Sequence, residues 1–460
     1  MDAAELAFSG VARQAQLVRN REVSPRELVE VCLERIARLD PQLNAFRTVY
    51  AERALAEAEQ AQARLRADGD RPLLGVPLAI KDNTDVSGDV TTHGTGAHGP
   101  PAREDAEIVR RVRAAGAIVV GKTHVPELCM WPFTESATWG VTRNPWNLAH
   151  TPGGSSGGSG AAVAAGLVPA ALASDGAGSI RYPAAFCGLF GLKPQRGRIS
   201  LRPLTEHWHG LSVYGWLARR VADSALLYDT TADSGGRGAY GQAVERGPGR
   251  LRIAVSLSLP PGVVASVQAE PRRAVEETAD LLRSLGHEVR ECDPEYGLAF
   301  TNTLVRYLRG IHDEARTLAH PERLERRTRG MARLGAAVLP GAVQRARAGE
   351  RQLADRVGSL WDAHDVLLTP VTTAPAPRIG RWEGLGALRT LNGVAGLCPF
   401  GAVWNATGQP AAAVPAGVGA DGLPRSVQLV ARPDDEQTLF ALAGQLERER
   451  PWGEQRPPAS

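Results

Sequence analysis

The chain contains very little lysine. Of its 53 basic residues only three are lysine, at Lys81, Lys122 and Lys193, and arginine carries the positive charge everywhere else. Arginine stays protonated in proteins, whereas a buried lysine can lose its proton and act as a base. A lysine kept in such a chain reflects chance, a tight site that a guanidinium does not fit, or a site that needs a neutral amine.

Other scarce features exclude whole classes of protein. The five cysteines are widely spaced without a CxxC pair, which argues against a disulfide framework and a zinc site. With 53 basic and 50 acidic residues the formal charge is +3, and there are no long runs of one sign. The sequence therefore lacks the charge pattern typical of proteins that bind nucleic acids or membrane surfaces. The N terminus lacks a signal-peptide pattern, and no run of 18 apolar residues occurs. We therefore predict a cytoplasmic protein that acts on a small molecule.

Patterns typical of helices and strands alternate along the chain. Residues 24–40 carry a capping box, in which Ser24 is the N-cap, Pro25 the first helical residue and Glu27 the third. Further helices are predicted at 51–66 and 219–233, and strands at 73–82, 251–256 and 365–370. A helix followed by a strand is predicted at 106–122 and again at 271–292. The arginine-rich residues 320–360 predict two surface helices broken near Pro340. The alternation favours an α/β sheet with parallel pairs.

The stretch TPGGSSGGSGAAVAAG at 151–166 has the composition of a flexible linker. It runs, however, into residues 160–194, which are small, apolar and nearly uncharged, as expected of a protein interior. No lysine follows its glycines as in a phosphate-binding loop, no GxGxxG is present, and the match to GxSxG is poor. We therefore interpret it as a buried loop.

A second motif, SDGAGSIRYP at 174–183, supplies a candidate nucleophile and candidate oxyanion donors. Its small residues Gly176, Ala177 and Gly178 precede Ser179 and can present backbone N–H groups toward one point, as an oxyanion hole requires. A serine is a weak nucleophile without a base, and the alternative to histidine is a neutral lysine. None of the ten histidines lies in these motifs. His207 and His209, at i and i+2 without an evident third ligand, are interpreted as a loop or packing element.

Four motifs, in this order, resemble the amidase signature family. They are GVPLAIKDN (75–83), TPGGSSGGSGAAVAAG (151–166), SDGAGSIRYPAAFCGLFGLKP (174–194) and TGQPAAAVPAG (407–417), and residues 419–439 resemble the family's C-terminal segment. The resemblance implies one large α/β domain whose central mixed, twisted sheet is covered by helices on both faces.

That domain would span residues 1–460. It would comprise an N-terminal helical segment (1–66), the catalytic core motifs (73–194) and the remainder of the sheet with its covering helices (195–460).

The resemblance also implies a Ser-cisSer-Lys triad without metal or organic cofactor. The family's nucleophile falls on Ser179, its general base on Lys81, and the bridging serine that follows a cis peptide bond on Ser155, 24 positions before the nucleophile. Ser156 is then a neighbour with a hydrogen-bonding role. To act as a base, Lys81 must lose its proton, which needs a pKa shift of ~3 units and costs about 4 kcal/mol.

Residues around the triad complete the predicted site. Asp82 should point to the opposite face of its strand from Lys81. Ala177 replaces a glycine that the family usually carries; its backbone N–H is kept if its φ is negative, so pocket shape rather than chemistry is affected. Asp175 and Arg181 are interpreted as a structural pair that holds the serine loop.

The predicted substrate is an apolar or aryl amide. Aromatic residues lie in or beside the predicted site loops, at Trp131, Phe133, Trp139, Tyr182 and Trp208. Cys129 matches a position that lines the substrate channel in relatives.

Several alternatives stay open. One is the glutaminase subunit of a tRNA-dependent amidotransferase, whose family usually carries glutamine where this chain has Tyr182. Others are an esterase or amide-forming biosynthetic enzyme with the same triad, and a non-catalytic binding protein. The expected partner is a small-molecule amide, with no nucleic acid or membrane, and a homodimer is possible.

Overall fold

The structure, a computed structural model, describes residues 1–65, 71–234 and 238–460. Its strands are β1 Phe46–Val49, β2 Pro77–Lys81, β3 Ile118–Thr123, β4 Glu135–Ser136, β5 Gly140–Val141, β6 Ala170–Asp175, β7 Phe190–Lys193, β8 Val213–Ala218, β9 Arg252–Val255, β10 Glu288–Glu291, β11 Val366–Pro370, β12 Ala411–Val418 and β13 Pro424–Ala431. Its α-helices are α1 Ala3–Phe8, α2 Val11–Arg19, α3 Pro25–Leu43, α4 Ala51–Arg64, α5 Glu107–Ala114, α6 Gly157–Ala164, α7 Arg181–Cys187, α8 Val221–Thr231, α9 Ala239–Arg246, α10 Ala269–Ser284, α11 Ala299–Thr317, α12 Arg326–Ala336, α13 Pro340–Ala348, α14 Glu350–Gly358, α15 Ala387–Leu397, α16 Val403–Thr407 and α17 Glu436–Glu449.

Across the described ranges, 11 strands form one mixed sheet in the order β1-β3-β2-β6-β8-β7-β12-β13-β11-β9-β10, while β4 and β5 form a separate pair. Strands β3, β2 and β6 are mutually parallel, as are β11, β9 and β10. Antiparallel pairs connect the two groups from β6 through β8, β7, β12 and β13 to β11. The predicted α/β class with a central mixed sheet is confirmed.

Both faces of this sheet are buried. Along β2, Leu78 and Ile80 join one apolar core with residues of α5, α8 and α17, whereas Ala79 joins a second core with residues of α3, α6 and α7. Side chains alternate between faces along a strand, so Lys81 lies on the same face as Ala79. Strands covered on both sides need apolar residues at nearly every position, which explains the uninterrupted run at 73–80.

The predicted elements agree with the structure except in two places. The arginine-rich region forms three helices, α12, α13 and α14, instead of two, and Pro340 begins α13 because proline is tolerated at the first helical position. The predicted N-terminal helical segment also contributes an edge strand, β1, which pairs with β3. Helix α4 ends at Arg64; residue 66, the predicted end of this helix and segment, lies outside the described residues, as do residues 235–237 of the predicted C-terminal remainder.

Among the described residues, none of the helices has the length and apolarity that a membrane crossing requires.

Candidate active site

The predicted site lies where two parallel strands end. Lys81 is the last residue of β2, and Ser174 and Asp175 are the last residues of β6. The pairing of Leu78 with Ala170 and the parallel direction bring these carboxyl ends to the same edge of the sheet. Open α/β sheets bind ligands at this kind of edge.

The Lys81 side chain is fully buried among hydroxyl groups. Its Nζ lies 2.7 Å from Ser155 Oγ, 2.8 Å from Ser174 Oγ and 3.3 Å from the Ser174 carbonyl oxygen. A neutral amine has two N–H donors and one lone pair, so the two Ser174 oxygens can accept the N–H groups while the Ser155 hydroxyl donates to the lone pair. The same three oxygens can accept the three N–H groups of a protonated lysine, so the contacts fit both protonation states.

Burial shifts the protonation equilibrium of Lys81 toward the neutral amine. Burial lowers the pKa of Lys81 to about 8, even though the nearby carboxylates of Asp175 and Glu314 pull the pKa upward. Burial also raises the pKa of the Cys129 thiol to about 12. The thiol next to the lysine therefore stays protonated and is not a nucleophile at neutral pH.

Asp82 faces away from Lys81, as its position next to the strand end predicts. Its carboxylate pairs with Lys122 Nζ at 2.9 Å and with Arg47 Nε at 3.3 Å. These contacts leave Asp82 no direct pairing with the Lys81 amine.

The glycine-serine loop is buried from Thr151 through Ser159, so it is interior and not a linker. The peptide bond between Gly154 and Ser155 is cis. A Cβ on Gly154 would lie 2.3 Å from the Trp131 carbonyl oxygen, so no larger residue fits at this position. Helix α6 begins directly after the loop, at Gly157.

Ser156 supports the neighbouring strand, β6. Its hydroxyl lies 3.3 Å from the Ser174 carbonyl oxygen and accepts from the Ser174 N–H at 3.4 Å. Ser156 thus holds the residue that contacts Lys81, a hydrogen-bonding role outside the substrate cavity.

Ser179 is half-buried and lines a cavity that is open to solvent. The lining includes Cys129, Trp131, Ala177, Tyr182 and Trp208, together with residues of α11 and α15. Most of these groups are apolar, so Ser179 presents a hydroxyl in a largely apolar chamber.

The loop before Ser179 differs from the prediction at one position. The Gly178 N–H, predicted as an oxyanion donor, donates instead to Asp175 Oδ1 at 2.6 Å. The N–H groups of Gly176, Ala177 and Ser179 donate to no acceptor in the described part of the chain. Ala177 does not adopt a positive φ, so its methyl group leaves the backbone geometry intact.

Asp175 and Arg181 form the predicted structural pair. Arg181 donates from Nε and Nη2 to the two carboxylate oxygens of Asp175, each at 3.0 Å, and both side chains are fully buried. Burial alone would raise the pKa of Asp175, but the Arg181 guanidinium brings it down to about 2. Arg181 also donates to Gln428 and Asn405, which ties the serine loop to strand β13 and helix α16.

The aromatic residues divide into two groups. Trp131, Tyr182 and Trp208 line the cavity, as predicted, whereas Phe133 stacks behind Trp131 with ring centroids 5.8 Å apart. Trp139 lies outside the cavity lining and donates its indole N–H to the Thr95 carbonyl oxygen. The Tyr182 hydroxyl donates to the Ala177 carbonyl oxygen at 2.7 Å, so this phenol braces the loop before Ser179.

The two histidines near 208 do not face a common ligand. His207 precedes the 3₁₀ turn Trp208–Gly210 and His209 lies within it; His207 Nε2 lies 3.3 Å from Glu314, and His209 Nε2 lies 3.1 Å from Asp313. In the described residues no group of three or more His, Cys, Asp or Glu side chains is arranged to hold a metal.

Two residues of the site are not among those predicted from the sequence. Ser174 was detectable, because it is a polar residue at the end of a strand whose parallel neighbour ends on Lys81. Glu314 was not, because it lies on α11, far from the motifs in the chain, and reaches the site only through tertiary packing.

The fold is shared with solved structures of amide hydrolases, and the comparisons identify the family. The chain belongs to the amidase family of amide hydrolases, whose model, described as Amidase, matches residues 27–440.

Individual relatives support this assignment along the whole chain. "Putative amidase AmiB2" of Mycobacterium tuberculosis is 53% identical over 462 residues, covering 100% of both chains. The 6-aminohexanoate-cyclic-dimer hydrolase of Paenarthrobacter ureafaciens is 36% identical over 482 residues, covering 96% of this chain and 95% of that protein. A solved structure of 6-aminohexanoate cyclic dimer hydrolase complexed with substrate superposes with a TM-score of 0.88 at 33% identity, covering 98% of this chain and 99% of that one.

Proposed function

We propose that the protein is a serine amidase that hydrolyses a carboxylic amide through an acyl-enzyme, with Ser179 as nucleophile, Ser155 as proton relay and Lys81 as general base. The observation that carries the proposal is the 2.7 Å contact between Ser155 and a buried Lys81 whose pKa burial lowers to about 8. A hydroxyl both donates and accepts, so Ser155 can pass a proton from Ser179 to the amine.

The reaction would proceed in two halves. Lys81 takes a proton from Ser155, which takes one from Ser179, while the Ser179 oxygen attacks the amide carbonyl carbon. The unpaired N–H groups of Gly176, Ala177 and Ser179 are the candidates to hold the oxyanion. The proton then passes to the leaving nitrogen as the C–N bond breaks, and water hydrolyses the Ser179 ester to release the acid.

The proposed substrate is an apolar or aryl amide. The aromatic and aliphatic lining of the cavity favours methylene chains and rings over a polar acyl group such as that of glutamine. A relative named for a cyclic dimer of 6-aminohexanoate is 36% identical, so we include cyclic as well as linear amides among the candidates. A cytoplasmic location and a homodimer stay predictions.

Three alanine variants test the triad. We expect Lys81→Ala and Ser179→Ala each to lower kcat/KM by about 10³-fold or more, and Ser155→Ala to be similarly impaired, because the three groups act as a unit. The assay uses a panel of aryl, fatty-acyl and peptide amides, the matching esters and 6-aminohexanoate cyclic dimer. Mass spectrometry of the quenched protein should show an acyl adduct on Ser179.

Ser159→Ala is the matched control, since Ser159 lies in the first turn of α6, directly after the loop, and donates to the Leu172 carbonyl oxygen. It should retain activity. Full activity of folded Lys81→Ala or Ser179→Ala would refute the proposal, and activity on esters alone would replace the amidase by an esterase.

A further inference from the structure

Trp208 fills the space between helix α11 and the loop at 176–179, which carries the proposed oxyanion donors and is called the oxyanion loop below. Its side chain is buried, and a Cβ on Gly176 of the loop would lie 2.8 Å from its indole ring. A Cβ on Gly310 of α11 would likewise lie 2.8 Å from the ring. Because real Cβ atoms do not approach other atoms this closely, glycine at both positions lets the indole seat directly against the backbone on each side.

The orientation of the indole is fixed by a buried carboxylate. Its Nε1–H donates to Glu314 Oε2 at 2.7 Å, and the ring meets Tyr307 edge to face with centroids 5.0 Å apart. His207 and His93 lie 3.3 Å and 3.1 Å from the same carboxylate. Glu314 thus joins the turn that carries Trp208 to α11 and to the loop that follows β2.

The same indole borders the reaction chamber. Trp208 lines the cavity together with Ser179, and Gly176, against which it packs, carries one of the unpaired N–H groups of the serine loop. One side chain therefore limits the chamber beside the nucleophile and supports a backbone donor of the oxyanion loop.

We propose that Trp208, tethered by Glu314, is both a specificity-determining residue and a positioning residue: its indole limits the size of acyl group that fits beside Ser179 and holds Gly176 in place. This inference rests on the proposed function. The indole thus sets an upper limit on the width of the acyl group that the cavity accepts. The triad does not set this limit.

The test measures kcat and KM of Trp208→Ala and Trp208→Phe on anilides of acetic, butanoic, octanoic and phenylacetic acid. We expect Trp208→Ala to shift the ratio of kcat/KM for phenylacetyl over acetyl at least tenfold toward the bulky group. Its kcat on the acetyl substrate should fall at least tenfold, because Gly176 loses its support. Trp208→Phe should shift both quantities in the same direction by less.

Trp139→Phe is the matched control, since it also removes a hydrogen-bonded indole but outside the cavity lining. It should leave the size profile unchanged. If Trp208→Ala does not fold, as judged by circular dichroism, Trp208→Phe decides. An unchanged acyl-size profile together with an unchanged kcat in a folded Trp208 variant overturns the inference.

A binding arm separates this inference from the proposed function. In the Ser179→Ala background, calorimetry with the same anilides should show that Trp208→Ala gains affinity for the phenylacetyl over the acetyl compound. If wild-type turnover does not depend on Ser179, the amidase mechanism fails while this shift still supports Trp208 as a specificity residue. If turnover depends on Ser179 but Trp208→Ala changes neither affinity nor turnover preference, only the further inference fails.

Discussion

Each of the three lysines occupies a fully buried position. Lys81 contacts serine oxygens, Lys122 pairs with Asp82, and Lys193 donates to the Pro194 carbonyl oxygen at 2.7 Å. Burial lowers the pKa of Lys193 well below its usual range. A slender amine can be buried where a guanidinium with five donors cannot be satisfied, which accounts for lysine at these positions in an arginine-rich chain.

The pKa of Lys81 leads to a prediction about pH. The base is active when neutral, and burial places its pKa at about 8, so kcat/KM should fall about tenfold per pH unit below that value and level off above it. The measurement is kcat/KM for an anilide without titratable groups, from pH 6 to 10.

Circular dichroism at each pH serves as the control for folding. A profile that is flat from pH 6 to 10 would contradict the assignment of Lys81 as the base.

At the scale of the element, helix α3 shows what a local sequence pattern can specify. Its predicted capping box is present: Glu27 N–H donates to Ser24 Oγ at 3.1 Å, and the Glu27 carboxylate accepts from the Ser24 N–H at 2.7 Å. Each group satisfies a backbone or side-chain partner within one turn, so the sequence alone specifies the start of this helix.

Removing this cap should cost stability without affecting the site. We expect Ser24→Ala to lower the free energy of unfolding by about 1 kcal/mol, because the Glu27 N–H loses its acceptor. Urea denaturation followed by circular dichroism measures the change.

Ser284→Ala is the comparison variant, since Ser284 is an exposed helical serine whose hydroxyl donates to the Leu281 carbonyl oxygen near the end of α10. It should change stability by less than about 0.5 kcal/mol. Equal effects of the two substitutions would show that the capping contact contributes nothing specific.

At the scale of the whole molecule, packing around one large sheet buries several carboxyl groups. Burial raises the pKa of Glu127 and of Glu447 to about 7 and that of Asp223 to about 6. A raised pKa means that the folded state binds the proton more tightly than the unfolded chain. Each such group therefore contributes stability at low pH that is lost as pH rises from its unfolded value through its folded value.

Glu127→Gln should accordingly stabilise the protein at pH 8. The unfolded pKa of a glutamate is about 4.5 and the folded value is about 7, so the gain in unfolding free energy is of order 3 kcal/mol at most. Glutamine keeps an oxygen that accepts from the Glu325 N–H. The gain should shrink at pH 5, where the carboxyl is protonated in the folded state.

Urea denaturation at pH 5 and pH 8 checks this, with the exposed Glu449→Gln as the matched surface variant. A stability difference for Glu127→Gln that is the same at both pH values would contradict the explanation.

The sequence by itself determined much of the site. The strand that ends on Lys81, the buried loop around Ser155 and the serine after small residues at 176–178 follow from local composition and order. These features depend on neighbours within a few residues, through alternation, turn geometry and the cost of burying charge.

Only the tertiary structure decided which distant groups meet. Glu314 and Trp208 are joined across 106 positions of the chain, and the cavity wall beside Ser179 is completed by α11 and α15. Likewise, Asn405 donates to the Asp175 carboxylate from 230 positions further along the chain. The physical reason is that such contacts depend on how helices pack onto the sheet, which no local pattern of residues encodes.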